Sequence, residues 1–175
     1  MKLVELARKT LGVYFDGKEF LPDEETKKKF SKKQASFVTL TENGELRGCI
    51  GSLEARQELW KDVQENAVNA AFYDSRFNPL EKNELQKIKI EISVLSKPKK
   101  LQYKNPQDIL EKINSKMGLI LKKHGRTATF LPQVWEQLPD RIEFLENLSQ
   151  KAGLEKDSWK TAEFEYYTVK KEEEN

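Results

Sequence analysis

The chain has 175 residues, 37% of them hydrophobic and 34% charged, with 31 basic against 29 acidic side chains for a net charge of +2. That length suits one domain with one core, and the near-neutral balance carries no electrostatic footprint of a nucleic-acid binder. One cysteine excludes an internal disulfide, which suits a reducing compartment in which the sequon Asn147-Leu148-Ser149 is irrelevant, and one histidine leaves too few soft ligands for structural zinc. With no carboxylates at calcium-loop spacing either, the expectation is no metal and no cofactor.

The opening MKLVELARKTLGVYF spaces its apolar residues for an amphipathic helix, and Glu5, Arg8 and Lys9 interrupt it, so it is neither a signal peptide nor a membrane span. No other stretch approaches the roughly 20 apolar residues of a transmembrane helix, and the expected location is the cytoplasm. Residues 23–33 are polar with Phe30 as their anchor, a solvated helix or loop. Phe37 to Thr41 and Leu46 to Gly51 are strand-like runs about Glu42-Asn43-Gly44, a strong hairpin signal.

Residues 55–73 return to helical spacing, with Leu59, Trp60, Val63, Ala67, Ala70 and Ala71 as the buried stripe. In residues 88–96, Ile88, Ile90, Ile92 and Val94 alternate with Lys89, Glu91, Ser93 and Leu95, the pattern of a strand that Pro98 ends. A helix over 105–113 has Asn105 at its cap and Pro106 at its first position. A second hairpin centres on His124-Gly125, a helical turn begins at Leu131-Pro132, and Asp140 caps a helix over 141–151 that Gly153 ends. Phe164 to Val169 is the last strand, and the KKEEEN tail is expected to fray. Hairpins in place of regular βα crossovers predict an α+β fold with a mostly antiparallel sheet flanked by helices.

The candidate chemistry lies around Cys49. Two glycines, Gly48 and Gly51, thin its strand and mark a bulge or a close backbone approach. A period of two turns Leu46, Gly48 and Ile50 to the core and sets Arg47 beside Cys49 on the other face, where a guanidinium would favour the thiolate. The alternative is a small buried hydrophobe. His124 sits in a Lys-Lys-His-Gly-Arg turn and reads as an exposed hairpin tip; a carboxylate, Glu91, on the same strand face as Ser93, is the other candidate base. Asp74 follows a helix C-terminus, where a carboxylate opposes the dipole and needs a cation, Arg76 or Arg47. Its role is either a loop-locking salt bridge or substrate binding. Tyr166-Tyr167 with Lys170-Lys171 is a faint trace of a nucleic-acid platform.

The string Leu46-Arg47-Gly48-Cys49-Ile50-Gly51 resembles the signature of the AMMECR domain family, protein A of the AmmeMemoRadiSam system. The similarity runs in order through about residues 37–170, including Asp74-Ser75-Arg76-Phe77, Ile90-Glu91-Ile92-Ser93-Val94-Leu95-Ser96 and Phe130-Leu131-Pro132-Gln133-Val134-Trp135-Glu136. The resemblance implies one domain of two lobes, the larger built from both chain ends, with the glycine-cysteine motif near the cleft between them. It also implies radical SAM and Memo-like proteins as partners in a modification pathway, without assigning this domain a reaction.

On that expectation Cys49 is the nucleophile or acceptor and Glu91 the base, with Arg47, Gly48, Gly51, Asp74, Arg76 and Ser93 binding substrate. A non-enzymatic interaction or scaffold domain is the alternative, and RNA binding a weaker one. Two departures stand out. The family's Asp-Pro-Arg-Phe-Pro-Pro-Leu loop has Ser75 and Asn78 in place of prolines here, and Glu58-Leu59 replaces a common Pro-Leu pair before the long helix.

Overall fold

A computed structural model describes residues 1–174, which form two compact units: Met1–Leu95 with the segment from Lys170 onward, and Ser96–Val169. The α+β class read from the hairpins holds, with the strands distributed over two four-stranded sheets, one in each unit.

In the first unit the chain runs through α1 (Leu3–Tyr14), α2 (Glu24–Lys29), β1 (Ser36–Glu42), β2 (Glu45–Gly51), α3 (Leu59–Phe72) and β3 (Ile88–Leu95). The final strand of the chain, β8 (Val169–Glu173), completes a sheet of order β2-β1-β3-β8. Strand β1 is antiparallel to both of its neighbours. Its turn into β2 places Asn43 and Gly44 at φ 53° and 83°, the left-handed pair that matches hairpin twist. Leu6 and Leu11 of α1 and Val63, Ala67 and Ala70 of α3 pack on Val38, Leu40, Ile90 and Ile92 in one core. Helix α3 approaches so closely that a Cβ on Gly48 would lie 2.1 Å from the Ala70 carbonyl oxygen, which is what the glycine in β2 is for.

The C-terminal segment corrects an expectation: through Glu174 it does not fray, while Asn175, the last residue of that expected tail, lies outside the described residues. The Glu172 carboxylate accepts the Val4 N–H at 2.9 Å in the first turn of α1, where a negative charge is favoured by the helix dipole. Glu174 takes the Arg8 guanidinium, accepts the Ile90 N–H at 2.9 Å and donates its own N–H to the Ile90 carbonyl at 3.1 Å. An acidic run that looks like solvated tail is thus spent on a helix N-terminus and a buried-side arginine.

In the second unit, β4 (Lys99–Lys100), α4 (Pro106–Lys112), β5 (Gly118–Lys123), β6 (Arg126–Phe130), α5 (Arg141–Lys151) and β7 (Glu163–Tyr167) are joined by two 3₁₀ turns, Pro132–Glu136 and Lys156–Thr161. Its sheet has the order β4-β7-β5-β6 and is antiparallel throughout. Asn105 and Asp140 cap their helices through the N–H groups of Asp108 and Glu143, both at 2.9 Å. His124 and Gly125 carry φ of 50° and 74° at an exposed tip, as the turn chemistry requires. Trp135 stacks on Phe144 at 3.8 Å at the centre of the core. The strand expected over Phe164 to Val169 runs from Glu163 to Tyr167, and Val169 begins the further strand β8. The short β4 and the turn at Lys156–Thr161 carry no sequence pattern that announces them.

Candidate functional site

Register on the first sheet decides which side chains meet. Cys49 of β2 lies opposite Thr39 of β1, and Thr39 lies opposite Glu91 of β3. Residues directly opposite one another in antiparallel strands share a face. Since Val38 and Leu40 pack toward the helices, this polar row stands on the opposite face. The Cys49 Sγ and Thr39 Oγ1 are 3.3 Å apart, and Lys171 of β8 extends the row with its Nζ 3.1 Å from Glu91 Oε2. The result is a line of thiol, hydroxyl, carboxylate and ammonium across four strands.

The adjacent row is Gly51, Phe37 and Ser93. A Cβ on Gly51 would meet the Phe37 ring at 2.4 Å, so this glycine makes room for an internal ring and not for a ligand. Ser93 is buried, with its Oγ 3.4 Å from Glu91 Oε1.

Asp74 and Arg76 hold the backbone of Cys49. Asp74 Oδ2 accepts the Cys49 N–H at 2.9 Å, and the Arg76 guanidinium donates to the Cys49 carbonyl at 3.2 Å. The two side chains bond each other through Nε–Oδ1 at 2.9 Å and Nη2–Oδ2 at 2.7 Å. Because β2 is the edge strand of its sheet, its outward N–H and C=O at Cys49 have no neighbouring strand, and this pair supplies the missing donor and acceptor. Asp74 is buried while Arg76 remains half in solvent. The Arg76 guanidinium, with the N–H of Cys49 adding to it, holds the Asp74 carboxyl well below the usual carboxylate range.

Arg47 departs from its expected place. The pairing of β1 with β2 steps from Leu40–Gly48 to Thr41–Leu46, leaving Arg47 as the extra residue of a β-bulge. Strict alternation therefore fails one residue before it was needed. Arg47 turns to Glu84, with Nε–Oε1 at 2.7 Å and Nη2–Oε2 at 3.0 Å, and donates to the Asn78 carbonyl at 3.0 Å. It anchors the 78–84 loop and does not sit beside the thiol. Leu46, assigned to the core by the same alternation, is 43% exposed.

The thiol is also not the activated one that an adjacent arginine would create. Cys49 is half-buried, and burial pushes its pKa up; the Thr39 hydroxyl and the Arg76 guanidinium pull the other way without reversing the shift.

Sequence reasoning missed Thr39, Lys171 and Glu84, whose roles depend on strand register and loop return. It also missed a buried polar knot. Asp62 of α3, 4% exposed, accepts from the Ser36 N–H at 2.8 Å, the Ser36 hydroxyl at 2.6 Å and the Asn66 amide at 2.9 Å. A carboxylate four residues before an asparagine on an apolar helix face was the available signal. The Tyr166-Tyr167 pair offers no stacking platform: Tyr167 is buried with its hydroxyl bonded to Thr129, and Lys171 is engaged by Glu91. Among the described residues no group of three or more histidine, cysteine or acidic side chains gathers as a metal site, and no helix is long and apolar enough to cross a membrane.

The match to known proteins reaches further toward the N-terminus than the resemblance over about residues 37–170. The AMMECR1 family model matches residues 4–172. A protein of Nanoarchaeum equitans is 39% identical over 170 residues, covering 95% of this chain and 94% of its own. A Methanopyrus kandleri protein is also 39% identical over 170 residues, covering 94% and 82%. The crystal structure of an uncharacterized protein from Pyrococcus horikoshii superimposes with a TM-score of 0.90 at 32% identity, over 99% of this chain and 90% of that one.

Proposed function

The chain belongs to the AMMECR1 family, and from that premise we propose that it is a component of an AmmeMemoRadiSam-type modification pathway, working with radical SAM and Memo-like proteins. Its working group is the Cys49 thiol, presented on the row it shares with Thr39 and Glu91. One observation carries this reading: an Asp–Arg pair is devoted to holding both the N–H and the C=O of Cys49, which fixes the thiol-bearing residue at the sheet edge.

The roles of the surrounding residues follow. Cys49 stays protonated at neutral pH, so it is an acceptor or hydrogen-bonding group that needs a base before it attacks. Glu91 is the carboxylate of the row, reached through Thr39. Arg76, half-exposed, is the guanidinium with room for a further anionic partner, whereas Arg47 is committed to Glu84.

A second reading has its own support: every charged side chain of the site already has an internal partner, which suits an interaction domain whose site residues serve the fold. Alkylation separates the two. Iodoacetamide should modify Cys49 in the native protein, more slowly than free cysteine at pH 7.5, and Thr39→Val should slow it further by removing the hydrogen bond that lowers the thiol pKa. Addition of the radical SAM or Memo-like partner should protect the thiol. A thiol that no reagent reaches without denaturant, together with undiminished partner binding and pathway turnover in Cys49→Ser, would leave the interaction domain as the answer.

A further inference from the structure

The polar groups around Cys49 are paired unevenly, with acceptors engaged and donors left over. The Asp74 side chain is 3% exposed and takes four hydrogen bonds. Its Oδ1 accepts from Arg76 Nε and the Arg76 backbone N–H, and its Oδ2 from the Cys49 N–H and Arg76 Nη2. Glu91 turns Oε2 to Lys171 at 3.1 Å and accepts the Ser93 hydroxyl on Oε1 at 3.4 Å. The Cys49 carbonyl accepts from Arg76 Nη2 at 3.2 Å.

The donors left over belong to Arg76. Its side chain is 55% exposed, and Nη1, which carries two N–H groups, donates to none of the described residues. Nε and Nη2 are fastened to the buried Asp74 and the Phe77 ring centre lies 5.5 Å from the guanidinium carbon, so the free nitrogen is held in place before any ligand arrives. Arg47 offers nothing comparable, because its Nε, Nη1 and Nη2 are all engaged by Glu84 and the carbonyls of Asn78 and Pro79. Arg76 Nη2 bonds the carbonyl of the same residue that carries the thiol, and the guanidinium charge acts on that thiol. The other cation of the row, Lys171, is 45% exposed beside Glu91.

A cationic ligand would meet a guanidinium whose counter-charge is buried behind it, and a neutral amide would gain the weaker kind of hydrogen bond. One free nitrogen of a planar, delocalised cation matches a single carboxylate, whereas a phosphate dianion asks for more donors than Nη1 supplies. We infer that Arg76 anchors a carboxylate of the substrate, holding it on Nη1 so that a short stem brings the neighbouring atom to the Cys49 thiol. The inference rests on Cys49 as the working group and adds the class of molecule that group receives.

Iodoacetate and iodoacetamide test it, since they present the same reactive carbon beside a carboxylate or a neutral amide. The ratio of their rates at Cys49 of the intact protein, read by mass spectrometry at pH 7.5 and divided by the ratio for free cysteine, reports the anchor whatever the accessibility of the thiol. Wild type should favour iodoacetate about threefold, the size expected of a solvent-exposed charge pair. Arg76→Gln should return the ratio to that of free cysteine, and any loosening of the β2 edge in that variant cancels because both reagents meet the same protein. Propionate should slow both reagents, and propionamide neither. A wild-type ratio equal to that of free cysteine, a preference lost in Lys171→Gln but kept in Arg76→Gln, or stronger protection by methyl phosphate than by propionate would overturn the carboxylate anchor and leave Cys49 as the working group. If neither reagent reaches the thiol, it is the reading of Cys49 that fails. The anchor is then decided by NMR of the Cys49 amide and the Arg76 Nε–H: shifts with propionate and not with propionamide support it, and no shift with propionate removes it.

Discussion

The carboxylate of Asp74 accepts the backbone N–H of Cys49 at 2.9 Å, so a side chain from the loop after α3 takes the position that a neighbouring strand would occupy. Removing it has two separable consequences. Asp74→Ala leaves the Cys49 amide and the Arg76 guanidinium without their acceptor and should cost about 2 kcal/mol, whereas Asp74→Asn keeps one oxygen for the amide and should cost about half as much. The pH dependence has a defined sign. The folded carboxyl pKa lies below the unfolded one, so its contribution is complete above the ordinary aspartate value near 3.9 and is lost as pH falls through the folded value. Urea unfolding midpoints should therefore differ between wild type and Asp74→Asn by a constant amount from pH 5 to 8, and converge at the most acidic end.

Gly48 tests the closeness of helix and sheet. An added Cβ would stand 2.1 Å from a helical carbonyl oxygen, which is backbone and has no rotamer to escape into. Gly48→Ala should destabilise the protein by roughly 3 kcal/mol, or prevent folding, because α3 must lift from β2. Gly44→Ala is the contrasting control: the space there is open and the penalty comes only from φ +83°, about 1 kcal/mol. A smaller loss at Gly48 than at Gly44 in thermal unfolding would contradict the packing described.

How much was readable beforehand follows from the range of each interaction. The turns at Asn43-Gly44 and His124-Gly125 and the caps at Asn105 and Asp140 are set by residues within a few positions of one another, and sequence alone places them. The row of Cys49, Thr39 and Glu91 needed strand order as well, because Glu91 meets the thiol's row only through β1. Arg47 was misplaced for a local reason: the glycines mark a bulge or close approach, but nothing in Leu-Arg-Gly-Cys announces which residue a bulge will set out of register. The acidic tail was misread because its partners, Val4 and Arg8, lie 168 and 166 positions away. A patch of glutamates cannot declare from composition that it will cap a helix at the other end of the chain.

That long-range closure gives a prediction at Glu174. Its carboxylate satisfies both a largely buried arginine and the Ile90 amide. Glu174→Gln, which keeps the shape and loses the charge, should cost about 1 kcal/mol, and Glu174→Ala about 2 kcal/mol. Deletion of residues 170–175 removes β8 altogether and should lower the unfolding temperature by far more than either substitution. Equal stability of the shortened chain in a thermal melt would mean that the strand contributes nothing to the first unit.

Asp62 responds to pH in the opposite sense from Asp74. Burial raises its pKa in the folded state, and the hydrogen bonds from Ser36 offset this only in part. A carboxyl that binds its proton more tightly when folded contributes stability below the unfolded value near 3.9, and that contribution fades as pH rises through the folded value. Asp62→Asn removes the titrating proton. The substituted amide can still present an oxygen to Ser36, and its stability at pH 7 should lie within about 1 kcal/mol of wild type. Asp62→Ala should cost about 3 kcal/mol, since the Ser36 N–H, the Ser36 hydroxyl and the Asn66 amide lose their shared acceptor together. Chemical denaturation of wild type and Asp62→Asn at pH 7 and again near pH 4 separates the charge from the hydrogen bonds. Wild type should gain on the variant as the solution is acidified, and a gap that widens in the variant's favour would show that the buried carboxyl is held as an anion.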